Sequence, residues 1–142
     1  MADVETGVES APQIELEQVS VERNGTRESW SISWRIRNGG VHVLYIQSVR
    51  LPHGQFKAKE QRFEPALLLS PGANARFHTP VRCDEPVGLV TENAFLIFHV
   101  VWLGEPWRVF ARVRVEVDSN GEPKTAVELI TTQKIGFSGV AA

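Results

Sequence analysis

Cys83-Asp84-Glu85 and, further along the same Pro- and Gly-containing stretch, Glu92-Asn93 place a thiol, three carboxylates and an amide in one irregular segment, residues 82–93. Loops of this kind host sites. A thiol nucleophile needs a neighbouring base and a depressed pKa. The residues beside Cys83 are acidic, so the simpler reading is a structural, partly buried thiol. Calcium-binding loops space their carboxylates densely at alternate positions, a pattern that is missing here. The histidines are His42, His53, His78 and His99, and no two of them have the i, i+4 or short-loop spacing of a ligand cluster. His99 lies within an apolar run, which suits a hydrogen-bonded, half-covered imidazole. No Gly-x-Ser-x-Gly elbow, phosphate-cradling loop or dinucleotide glycine pattern occurs. Asn24-Gly25-Thr26 matches a glycosylation acceptor but reads more simply as a turn. No catalytic residue, cofactor or metal ligand is therefore assigned, and the chain is not expected to be an enzyme.

The elements that would position such groups point instead to a surface. Residues 94–103 (Ala94-Phe95-Leu96-Ile97-Phe98-His99-Val100-Val101-Trp102-Leu103) are apolar at both parities, so that strand needs cover on both faces. With Leu96, Phe98, Val100 and Trp102 facing a core, Phe95, Ile97, His99 and Val101 face outward. Leaving a large apolar side chain in water forgoes about 1.5–3 kcal/mol, a strong incentive for cover. After a turn at Gly104-Glu105-Pro106, a partner strand alternates Trp107, Val109, Ala111, Val113, Val115 and Val117 with Arg108, Phe110, Arg112, Arg114 and Glu116. A last strand, Thr125 to Phe137, carries Val127, Leu129, Ile135 and Phe137 at one parity. It is the nearest candidate to fold over the outer face, or to pair with a second protomer in a strand-exchanged dimer. The expected interaction surface is accordingly Phe95, Ile97, His99 and Val101, then Arg108, Phe110, Arg112 and Arg114, with Leu129, Ile135 and Phe137. Arginine mixed with aromatic side chains is the composition of protein interfaces.

Elsewhere the chain reads as short strands between turns. Residues 1–12 read as a disordered leader, 13–138 as one domain and 139–142 as a frayed tail. In Ile14, Leu16, Val19 and Val21 the apolar parity switches, which a bulge at Glu17-Gln18 explains. Asn24-Gly25 makes a turn, and Trp30, Ile32, Trp34 and Ile36 alternate with polar residues. A third strand spans Val41 to Leu51, residues 57–64 fit an edge strand or a loop, and Ala75 to Val81 follow the Pro71-Gly72 turn. Arg50, His53, Lys57, Lys59 and Arg62 form a second basic group, read as a solvated loop. Such elements without an amphipathic helix predict an antiparallel all-β domain, an immunoglobulin-like sandwich of seven to eight strands with an additional C-terminal strand, a barrel being the alternative.

Leu69-Ser70-Pro71-Gly72, a strand with Phe77 and then a long hairpin resemble the Leu-x-Pro-Gly turn of bacterial immunoglobulin-like domains over residues 14–118. The resemblance implies an adhesive, assembly or accessory module. The chain departs from antibody-type domains in lacking a cysteine pair, and its C-terminal strand lies beyond the usual set.

Composition narrows the partners. With 42% hydrophobic and 23% charged residues the 142-residue chain has ordinary globular usage. A net charge of −2 supplies no field for nucleic acid or an anionic membrane. No apolar run approaches the roughly 20 residues that span a bilayer. Cys83 is the single cysteine, so no intrachain disulfide forms and no disulfide-linked partner is expected. The opening residues MADVETGVESAPQ lack the basic and apolar regions of a secretion signal, which predicts a cytoplasmic location. The expected function is a non-catalytic protein-interaction or assembly module, with a protein partner or self-association. The alternative is a small-ligand, metal or carbohydrate-binding domain, or an enzyme of that kind, built on the 82–93 loop. It would use Cys83, Asp84, Glu85 and Glu92 with His78 or His99, or stack sugars on Trp102 or Trp107 beside Tyr45.

Overall fold

The computed structural model describes residues 9–25, 28–52 and 56–136. Over these the chain is all β, with strands β1 (Ile14–Arg23), β2 (Ser29–Asn38), β3 (Leu44–Pro52), β4 (Lys57–Leu69), β5 (Asn74–Arg82), β6 (Val90–Trp102), β7 (Glu105–Val117) and β8 (Pro123–Lys134). Every pairing is antiparallel, and the eight strands make one sheet in the order β1-β2-β5-β4-β3-β6-β7-β8. The sheet curls until its two edges, β1 and β8, touch. It is a nearly closed barrel, with side-chain contacts and no backbone ladder between β1 and β8 and a single backbone pair between β4 and β5.

This corrects the two-sheet immunoglobulin-like sandwich expected from the sequence. Alternation along a strand reports that one face is buried, and it is the same whether the buried faces belong to two stacked sheets or to one sheet wrapped on itself. The decisive information lies in contacts of high sequence separation, such as those of β1 with β8, which no local pattern carries.

Inward-facing residues match the alternation. Trp30, Ile32, Trp34 and Ile36 of β2, Leu96, Phe98, Val100 and Trp102 of β6, and Val109 to Val117 at alternate positions of β7 are all buried. Phe77 of β5 links the walls by ring contacts to Trp34, Phe63 and Phe98 at 6.4, 5.7 and 5.9 Å. The one polar group of the Trp34 ring is satisfied, since Nε1 donates to Thr79 Oγ1 at 2.8 Å.

Bulges adjust this regular frame. The register of β1 shifts between Gln18 and Ser20, close to the bulge read from the parity switch. Residues 57–64, left open between strand and loop, belong to β4, so Lys57, Lys59 and Arg62 stand on a strand and not in the solvated loop expected of them; Arg50 is on β3. His53 lies outside the described residues. In β4 the residues Phe63, Glu64, Pro65 and Ala66 all stand opposite Gln47 of β3, between the pairs Ile46–Leu67 and Ser48–Arg62. The β6–β7 turn is Leu103-Gly104, both at positive φ (52° and 76°), and Glu105 and Pro106 already pair with Trp102 and Val101. A two-residue turn with both central φ values positive matches the twist of its strands, although leucine is an uncommon choice for it.

Candidate functional site

The outer face of β4, β3, β6, β7 and β8 is built in rows, because residues paired across antiparallel strands share a face. One row runs Leu68, Tyr45, Val101 and Pro106; the next runs Arg62, Ser48, His99, Arg108 and Gln133. Below them lie Arg50, Ile97, Phe110 and Thr131, and then Phe95, Arg112 and Leu129. Phe95, Ile97, His99, Val101, Arg108, Phe110, Arg112 and Leu129 are thus brought onto one surface.

Of the other three expected surface residues, two have settings of their own and the third is not described. Arg114 is on β7 but is engaged by Glu92 at 3.2 Å and Glu116 at 3.7 Å. Ile135 follows the end of β8 and donates its backbone N–H to Pro106. Phe137 lies outside the described residues.

The shared parity assumed for the last strand does not hold. Arg112 pairs with Leu129 but Val113 pairs with Val127, so Glu128 is an inserted residue and Val127 and Leu129 face opposite sides. Val127 packs on the core while Leu129 is exposed. Nor does β8 fold over β6: it extends the sheet beside β7.

Cover for the apolar row comes from the face itself. Ile97 is only 7% exposed, and its cross-strand neighbours are Arg50 and Phe110. The Nε atoms of Arg108 and Arg112 are withdrawn from water without a hydrogen-bond partner, as in arginines whose stems lie along an apolar surface. Phe95 and Phe110 meet edge to face at 6.4 Å and remain half-buried. Among the described residues, Arg50, Arg108 and Arg112 pair with no carboxylate. His99 feels this setting: burial first, then the Arg108 charge, lower its pKa from 6.5, with Arg50 and Arg62 adding to the effect and Glu60 opposing it.

The chemistry-bearing residues of the 82–93 segment do not converge. Cys83, Asp84 and Glu85 line a hollow of about 450 Å³ with Arg23 and residues 119–121, while Glu92 faces Arg114. The Cys83 thiol is buried, and burial followed by the charges of Glu85 and Asp84 raises its pKa. This is the reverse of nucleophile activation. His78 lies on β5 and His99 on β6, which are not neighbours in the sheet. Among the described residues no group of three His, Cys, Asp or Glu side chains is placed to hold a metal ion. Trp102 and Trp107 are buried and pack edge to face at 5.7 Å, leaving Tyr45 as the exposed ring of that region.

Sequence reasoning placed Arg50 in a loop and gave Tyr45 and Leu68 no part in this surface. Their signal was pairing: Arg50 opposite Ile97, and Tyr45 opposite both Leu68 and Val101. No family pattern matches this chain, and no curated protein does. Among solved structures it is similar to the X-ray structure of Northeast Structural Genomics Consortium target SoR45, at 14% identity over 87% of this chain and 84% of that one, with a TM-score of 0.28.

Proposed function

We propose that the protein is a non-catalytic association module that uses the outer face of β3, β6, β7 and β8 to receive an acidic, partly aromatic protein segment. One observation carries this reading: Arg50, Arg108 and Arg112 surround half-buried Phe95 and Phe110, and none of the three is neutralised by a carboxylate of the described chain. Such guanidinium groups donate bidentately to a carboxylate, and the rings beside them supply apolar area. Leu129 extends the face onto the C-terminal strand. A second copy suits the face less well, since a two-fold contact would set unpaired arginines against each other.

Selection of a random peptide library on the intact chain, with the Arg108→Glu/Arg112→Glu variant as counter-selection, tests the reading. Enriched peptides should combine Asp or Glu with an aromatic residue and lose binding to the variant. Neutral or basic winners, or equal binding to both chains, would overturn it. Light scattering across concentration separates the self-associating form: dimerisation abolished by the same substitutions would replace the acidic segment by a second copy.

A further inference from the structure

The ladder between β4 and β5 consists of one pair, Lys57 with Arg82. The reason lies in β5. Asn38 donates its backbone N–H to Ala73, and Cys83 donates its own to Glu28, so the odd-numbered residues of β5 spend their backbone groups on β2. Asn74, Arg76, His78, Pro80 and Arg82 turn theirs toward β4. Continuing from Lys57–Arg82, the next hydrogen-bonded pair would join Lys59 to Pro80, and proline has no N–H to give. The strands part there.

A cleft of about 840 Å³ opens at that seam. Its apolar walls are Trp30, Leu51, Pro52, Ala58, Pro80 and Val81. A single carboxylate, Glu60, lines it, against the cations Lys57, Lys59 and Arg82. Arg82 is already paired with Glu28 at 2.5 Å, whereas Lys57 and Lys59 have no ion pair among the described residues. Gln61 also lines the cleft, and its Oε1 is withdrawn from water without a partner.

We propose that this cleft binds a small amphipathic monoanion, an aliphatic or aromatic carboxylate. Its apolar body lies against Pro52, Ala58 and Pro80, over the buried Trp30, Leu51 and Val81, and its carboxylate meets Lys57 and Lys59. The volume is that of small-molecule sites, roughly 300–1,000 Å³, and an apolar wall with few polar groups is their usual make-up. An added peptide strand fits less well, because Pro80 removes a donor from the edge it would pair with. This site is separate from the outer arginine face and does not depend on the reading of that face.

Octanoate and octan-1-ol, titrated into the full chain by calorimetry and by amide chemical-shift mapping, test the proposal. Octanoate should bind one to one, shift amides of β4 and β5 around Ala58 and Val81, and bind about tenfold more tightly than the alcohol. Lys57→Glu/Lys59→Glu, on exposed positions that leave the fold intact by circular dichroism, should weaken octanoate about tenfold or more. Arg108→Glu/Arg112→Glu should leave that affinity unchanged. Absence of saturable binding, equal affinity for acid and alcohol, or undiminished binding by the lysine variant would overturn it.

Discussion

Gln18 and Thr125 hold the two edges of the barrel together: Gln18 Oε1 accepts from the Thr125 backbone N–H at 2.9 Å and from its Oγ1 at 2.7 Å. The same amide donates from Nε2 to the carbonyl of Pro123 at 3.1 Å. One side chain thus supplies to β8 what a strand backbone supplies elsewhere in the sheet. The bulge between Gln18 and Ser20 lies directly beside it, and a bulge re-aims the side chains next to it.

Gln18→Ala is expected to cost about 1–3 kcal/mol, because it strips partly buried backbone groups of β8 of their partners. Urea denaturation measures the cost, and hydrogen exchange should show the Thr125 amide losing protection more than amides of β6. Uniform loss across the sheet, or none, would show that the amide does not close the barrel.

Cys83 is expected to react slowly in the native chain. Its thiol is buried and its pKa is raised by burial and by Glu85 and Asp84, so the thiolate that attacks a disulfide reagent is scarce. Labelling with an aromatic disulfide at about pH 8 should be at least about tenfold slower than in urea. Equal rates in the two conditions would place the sulfur at the surface and reopen a reactive role for it.

The tryptophans separate satisfied from unsatisfied burial. Trp34→Phe breaks the bond to Thr79 and opens space in the core, which should cost about 2–4 kcal/mol. Trp107 carries a buried Nε1 with no partner, so Trp107→Phe removes an unmet donor as well as volume. Its net cost should stay within about 1 kcal/mol. Comparable losses in the urea midpoint for the two variants would contradict this assignment.

The alternation of β2 and β7 was legible because each inward residue is two positions from the next and the outward ones, Phe110 apart, are polar or charged over most of their length. The residues of the outer face on β6 and β7 followed from it. What stayed hidden depends on insertions and on distant pairing. Glu128 sends Val127 and Leu129 to opposite faces, and nothing in their spacing announces it. Lys57 to Glu64 has too many polar residues to declare a face, so the partner strand of Pro80, and with it the cleft, was invisible. Pro80 itself was in view, but its effect requires knowing that its missing N–H points toward β4.

His99 gives the arginine face a signature in pH. Its row places it between Ser48 and Arg108, and burial and then Arg108 lower its folded pKa below the unfolded value of 6.5. Well above that value the imidazole is neutral in both states and contributes no pH dependence. As pH falls through 6.5 the unfolded chain takes up the proton first, so stability declines until the folded pKa is passed, and the deficit is then constant. Glu60 works against this shift, while Arg50 and Arg62 reinforce it. The urea midpoint of the native chain should therefore drop between about pH 7.5 and 5.5 more than that of His99→Gln. In Arg108→Gln the imidazole pKa, followed by NMR, should rise. A midpoint that falls equally in the native chain and in His99→Gln would assign the acid sensitivity to other groups, and an unmoved imidazole in Arg108→Gln would separate that arginine from the histidine beside it.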